Sequence, residues 1–243
     1  MATVTEIAEG VFRINVAIPG RPVTYSLFLI DDEEPTLIET SFGQLFGEIR
    51  EAVEKVMDPA RIRHIVSPHF EGDECGGLPQ FLKVACNAAP LCSPIGAGSI
   101  RDFTGVEPRV VADGEVLPIG DRRLRFLLTP YVHAWDSLLV FEETQKVLYS
   151  SDLFIQPGDG PAVTDRDLSD VMVEFYRSSG VMPSMRHIHQ ALNKVGPLPV
   201  ETIACHHGTV LTGDLTPYFQ ALWDHDVTGL PALIPRWPGL MGE

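Results

Sequence analysis

The feature that most constrains this chain is a rhythm: short apolar runs of strand character are bounded by turn residues, and helix-period segments interrupt them in two rounds. "GVFRINVAI", "TYSLFLID" and "PTLIET" are rich in β-branched and aromatic residues and are separated by "PGRP" and "DDEEP", which predicts successive hairpin strands. "FGQLFGEIREAVEKVM" then carries Leu45, Phe46, Ile49, Val53 and Val56 near helical period and stops at "DPA", so an amphipathic helix should lie on that sheet. "RIRHIVSPH" reads as the next strand, and "CGGLPQFLKVAC" as a helix begun near its two glycines.

A second round follows. "RVVADGEVLPIGDRRLRFLLTP" gives strands joined by two turns, and "SLLVFEETQKVLYSSD" a hairpin turning at "EETQK". From about residue 165 the pattern is helical through "RDLSDVMVEFYRSSG" and "PSMRHIHQALNKVG"; "ETIACHHG" is a late strand and "LTPYFQALWDHDV" a last helix. Strand runs closed by helices in each half predict two packed mixed sheets with helices outside, an αββα sandwich of the α/β class. The 243 residues are enough for one such domain over 1–243, with a proline-rich tail at 229–243 expected to lie extended on the surface.

Composition excludes several partners. A formal charge of -15 without a clustered basic run argues against nucleic acid and anionic membrane, both of which need Lys and Arg. No apolar run reaches the roughly 20 residues of a membrane span, and "MATVTEIAEGVF" lacks a signal-peptide pattern, so a cytoplasmic protein is expected. Cys75, Cys86, Cys92 and Cys205 show no CxxC spacing and are expected as free thiols.

Acids and imidazoles recur at predicted strand ends: His69, Glu71 and Asp73 in "SPHFEGDECGG", His133 and Asp136 in "YVHAWDS", Asp152 in "YSSD", and His206 and His207 in "CHHG". In an extended loop, residues two apart share a face, so His69, Glu71 and Asp73 are expected to point into one cavity. Crowded anions at that spacing would repel and stay protonated unless a cation joins them. Gly72, Gly76 and Gly77 would permit the tight backbone path. Carboxylates and imidazoles without thiolate favour borderline-to-hard ions.

These motifs resemble the metallo-β-lactamase superfamily, and within it the flavodiiron proteins and oxygen-binding diiron relatives, whose loop reads H-x-E-x-D, then His, then Gly. "HFEGDECGG" matches His, Glu and Asp and places Glu74 where that histidine would be; "HAWDS", "YSSDLF" and "CHHG" resemble the family's later segments in order and spacing. The resemblance implies a metallo-β-lactamase-like fold and a centre of two iron ions (Fe2+/Fe3+), one held by His69, Glu71 and His133, the other by Asp73 and His207. Asp152 and an oxo, hydroxo or peroxo group would bridge them. It implies dioxygen or nitric oxide as the ligand and an external electron donor or signalling protein as partner. No FMN is expected, because no flavodoxin-sized segment follows. Homodimerisation suits the family, although without a flavin that pressure is absent.

Glu74 admits three readings: a seventh ligand, an acceptor beside a ligand, or a carboxylate favoured by a helix N-terminus. Asp136 suits a partner that holds an imidazole, with a plain turn residue as the bland reading. Adjacent strand residues point oppositely, so one of His206 and His207 should face the site, and His207 matches the family's His-Gly. Tyr131 and Trp135 flank His133 and can line the cavity above the metals. Cys75, at a helix start, should have a lowered pKa yet serve as a packing residue. His187 and His189 lie two apart on a helix and cannot share an ion. Glu39 in "LIETS" is expected to hydrogen-bond structurally.

Three functions follow as expectations. The first is a diiron protein that binds dioxygen or nitric oxide, as sensor or as reductase. The second is a dizinc hydrolase of a thioester, lactone or amide. The third is a redox-dependent signalling partner without turnover.

Overall fold

The structure, a computed structural model, describes residues 1–229; the proline-rich tail read at 229–243 lies, past its first residue, outside the described residues. The two rounds of the sequence become two seven-stranded sheets. In the first, β1 (Thr3–Ala8), β2 (Val11–Ala17), β3 (Thr24–Ile30) and β4 (Thr36–Ile38) run antiparallel, and β5 (His64–Val66), β6 (Ala89–Cys92) and β7 (Arg109–Val110) continue in parallel with β4. In the second, β8 (Val116–Pro118), β9 (Arg123–Leu128), β10 (Leu138–Glu142) and β11 (Val147–Ser151) are antiparallel. There β13 (Thr202–Cys205) pairs in parallel with β11, and the two-residue strands β14 (Val210–Leu211) and β12 (Val163–Thr164) close the edge.

Alternation along the central strands explains the layers. Phe28 and Ile30 of β3 and Val140 of β10 fill the core between the sheets, with Ile38, Val66, Phe126 and Tyr149. Leu27 and Leu29 point the other way, against Ile49, Ala52 and Val53 of α1 (Phe46–Glu54) and Phe81 of α3 (Leu78–Val84). On the second sheet, Leu139 and Phe141 pack outward on Met172 and Tyr176 of α5 (Ser169–Ser179), Ile188 and Leu192 of α6 (Met185–Val195) and Tyr218 and Leu222 of α7 (Thr216–Asp224). β3, β10 and β11 are buried along their whole length, as expected of strands covered on both faces. The αββα expectation is met.

Two local readings differ. β1 was not expected, because "TVTEIA" is a half-exposed edge strand with no clean alternation. After Glu71 the loop coils at once into the single turn α2 (Gly72–Cys75), ahead of the glycine pair rather than from it. Gly76 and Gly77 are needed because this turn packs on the backbone after β4: a Cβ at Gly76 would lie 2.9 Å from Gly43 N, and one at Gly77 2.7 Å from Thr40 O. A Cβ at Gly72 would meet nothing, so that glycine is not required by space.

Candidate metal centre

Every acid and imidazole of interest follows the C-terminal end of a strand. Glu39 follows β4, His69 follows β5, His133 lies between β9 and β10, Asp152 follows β11, and His206 and His207 follow β13. The sheets present these ends at one edge, the arrangement in which open α/β sheets carry their sites. Asp152 is re-aimed by an irregularity in the β11–β13 pairing between Tyr149 and Ser151, where Ser151 takes a φ of 46°.

The expected single comb is split. Glu71 is extended, at φ -136° and ψ 157°, but α2 turns the chain immediately after it. His69 and Glu71 therefore group with His133 and Asp152, while Asp73 groups with His206 and His207; within each set one donor atom per residue lies within 4.8 Å of the others. In the first set, His69 Nε2 and His133 Nε2 each lie 3.3 Å from Glu71 Oε2, and the two rings stand at 90° with centroids 5.0 Å apart. In the second, His207 Nε2 is 3.7 Å from Asp73 Oδ2. Asp152 serves both: Oδ2 lies 2.8 Å from His133 Nε2 and 3.9 Å from His69 Nε2, while Oδ1 lies 3.5 Å from His207 Nε2.

Several of these atoms converge without bonding. His133 Nε2, Asp152 Oδ1, Glu74 Oε2 and His206 Nε2 are buried and have no hydrogen-bond partner. His133 Nε2 and Asp152 Oδ2 are close at 2.8 Å but lack hydrogen-bond geometry, so the nitrogen aims at a shared point rather than at the oxygen. Buried orphaned lone pairs are costly, and in groups of donor atoms within 4.8 Å of one another they are what cations would satisfy. The donor chemistry, imidazole and carboxylate, fits a borderline or hard divalent ion.

Surrounding bonds fix the rings. Ser151 Oγ donates to Glu74 Oε1 at 3.0 Å and so accepts from His69 Nδ1 at 3.2 Å, which leaves the His69 Nε2 lone pair facing the site. Thr24 O accepts from His207 Nδ1 at 2.8 Å, to the same effect. Electrostatics without a cation are correspondingly distorted. The His133 and His69 imidazoles, each 3.3 Å away, hold Glu71 well below the usual carboxylate range. Burial works to lower the His133 pKa, but Asp152 and Glu71 overcome it and raise the ring to about 10. Burial pushes Glu74 up to about 8 despite His69 beside it. His207 is lowered, by burial and then by His206.

Other readings are revised. Glu74 is buried in the cluster, with Oε2 2.5 Å from His69 Nε2, and is not a solvated helix-start carboxylate. Asp136 is buried, but Oδ2 accepts from Phe70 N at 3.0 Å; it anchors the backbone between His69 and Glu71 rather than an imidazole. Tyr131 and Trp135 are nearly half exposed, and Tyr131 packs against His187 of α6, its ring 4.8 Å away. Burial drives Cys75 up to about 12 instead of down, and its thiol donates to Glu71 O. His206 also faces the cluster. The strand ends at Cys205, so strand alternation no longer applies, and the His206 and His207 rings lie 4.4 Å apart. The doublet "CHHG" together with a buried acid, Glu39, was the available signal; Glu39 accepts a very short bond from His206 Nδ1.

Comparison with known proteins agrees with the fold. The profile of a family described as "ODP family beta lactamase" matches residues 23–208. Type A flavoprotein fprA of Rhodobacter capsulatus is 30% identical over 229 residues, covering 84% of this chain and 52% of that protein. The solved rubredoxin oxygen:oxidoreductase from Desulfovibrio gigas superposes with a TM-score of 0.83 at 25% identity, over 91% of this chain and 61% of that one. A flavoprotein from Thermotoga maritima has the same fold, with a TM-score of 0.83 at 20% identity over 91% and 60% of the two chains. The chain spans about half the length of the curated relatives it matches. Among the described residues no helix is long and apolar enough to cross a membrane.

Proposed function

Because the chain belongs to the ODP family of β-lactamase-like domains, with flavodiiron proteins among its relatives, we propose that its imidazoles and carboxylates hold two iron ions at which dioxygen or nitric oxide binds. The observation that carries this reading is the division of the cluster about one carboxylate, with Asp152 Oδ2 toward His133 and His69 and Oδ1 toward His207. His69, Glu71 and His133 would hold one ion, Asp73 and His207 the other, and Asp152 would join them. Glu71, where a histidine would suit zinc, tilts the first set toward iron. Two iron ions held there would each be able to supply one electron, which suits the two-electron chemistry of a small diatomic gas.

The chain's own groups prepare that site. Ser151 and Thr24 O hold the outer nitrogens of His69 and His207, so neither ring can turn away. Asp136 fixes the Phe70 amide and with it the spacing of His69 and Glu71. Asp152 and Glu71 raise the His133 pKa, and an ion bound there would displace that ring's proton, so metal uptake would release acid. Glu71, with its side chain 49% exposed, opens the first set to solvent. Electrons would come from a carrier, or a partner protein would read the oxidation state. Support for a carrier comes from relatives named rubredoxin-oxygen oxidoreductase in Megalodesulfovibrio gigas and coenzyme F420H(2) oxidase in Methanocaldococcus jannaschii.

Metal analysis with an absorption spectrum taken before and after admitting air to the anaerobic protein tests this. The expected result is two irons per chain and a visible band that changes with air. Zinc alone, a silent spectrum, and hydrolysis of thioester, lactone or amide substrates would overturn it in favour of a dizinc hydrolase.

A further inference from the structure

Resting on the two-ion reading, we infer that His206 is a further metal-binding residue: its Nε2 completes the donor set of the second ion, and Glu39 is the positioning carboxylate that aims it. The His206 side chain is wholly buried, and its Nε2 has no hydrogen-bond partner. That nitrogen lies 4.0 Å from Asp73 Oδ2, and Asp73, His206 and His207 each place a donor atom within 4.8 Å of the others. On the far side of the ring, Nδ1 lies 2.7 Å from Ser26 O and donates to Glu39 Oε2. A ring whose Nδ1 proton is committed to a carboxylate presents an Nε2 lone pair, which is how histidines that ligate metals are oriented.

The neighbouring loop explains why such a residue is needed. Position 74 brings no imidazole to the loop: Glu74 stands there, with its carboxylate against His69 Nε2 and Ser151 Oγ. The second set thus draws one carboxylate from the comb and two imidazoles from the bend after β13. Glu39 is placed on the opposite ring nitrogen from Asp73, so it orients His206 and does not share the ion. As a merely structural pair, Glu39 and His206 would leave Nε2 orphaned in the interior, against the rule for buried polar groups.

The test uses the full chain loaded with zinc, whose coordination distances are well defined. In crystals of the zinc-loaded wild type, an ion about 2.0–2.1 Å from His206 Nε2 is expected; an ion more than about 3 Å from it overturns the assignment. In calorimetric titration, His206→Gln should abolish one of two binding events. Glu39→Gln should keep both while weakening one by about 10–100-fold. Circular dichroism verifies that each variant is folded, and the wild-type crystal decides should His206→Gln fail to fold. Two unchanged events in a folded His206→Gln overturn this inference alone, whereas a wild type that binds no metal overturns the two-ion reading and this inference with it.

Discussion

The two ends of the sandwich use the same chemistry to opposite purpose, and β3 reaches both. At its first residues, Thr24 O and Ser26 O hold the outer nitrogens of His207 and His206. Just past its last residue, Asp32 ties the first sheet to the turn between β8 and β9, accepting from Glu33 N at 2.8 Å, Asp121 N at 3.2 Å, Arg122 N at 3.0 Å and Arg122 Nη1 at 3.2 Å. Four donors satisfy that carboxylate. At the other end, buried nitrogens and oxygens of His133, Asp152, Glu74 and His206 meet without bonding. Polar groups that only hold a fold find their partners within the protein; at the other end these atoms find none.

Removing Asp152 should break this contrast most completely. Asp152→Asn takes charge from the one carboxylate common to both sets, and metal analysis should show two ions falling to none, with a fall in melting temperature as the linked stabilisation is lost. His133→Ala should be the half-effect. One ion leaves, the second stays, and the residual spectrum is that of a mononuclear site.

The far end gives the complementary result. Asp32→Ala should cost about 2 kcal/mol by loss of charged hydrogen bonds, read from the denaturant midpoint, with metal content unchanged. The smallest effect is in pH. Burial tends to raise the Asp32 pKa, but bonds from Glu33, Asp121 and Arg122 outweigh it and leave the value below its ordinary 3.8. A depressed carboxylate stabilises the fold above the ordinary value and loses that contribution as pH falls through the folded one. Asp32→Asn should therefore flatten the acid limb of the stability curve below about pH 4 while leaving its shape at neutral pH.

The contrast also marks what the sequence could carry. The two sheets were legible because buried strands such as "TYSLFLI" and "LLVFE" are apolar throughout and helices such as α6 keep their period. Two-residue strands at an edge, β12 and β14, carry too few residues for any pattern. His69, Glu71, Asp73, His133, Asp152 and His207 stood out because each follows a strand. Their grouping did not, since it depends on α2 turning the chain between Glu71 and Asp73. His206 was misread for a related reason: alternation describes strands, and β13 stops one residue earlier. Asp136 was paired with an imidazole where the fold offers it an amide, a choice that requires the two loops to be seen together.

The exposure of Glu71 has a kinetic consequence. Its side chain is half open to solvent, at 49%, while those of Asp73 and His207 in the second set are at 17% and 9%. With two ions bound, such a site would have a vestibule: chelators and oxidants would meet the ion on the Glu71 side first. Exchange of the two ions would then be sequential, the outer berth turning over faster than the inner one, and a chelator would strip the pair in two phases.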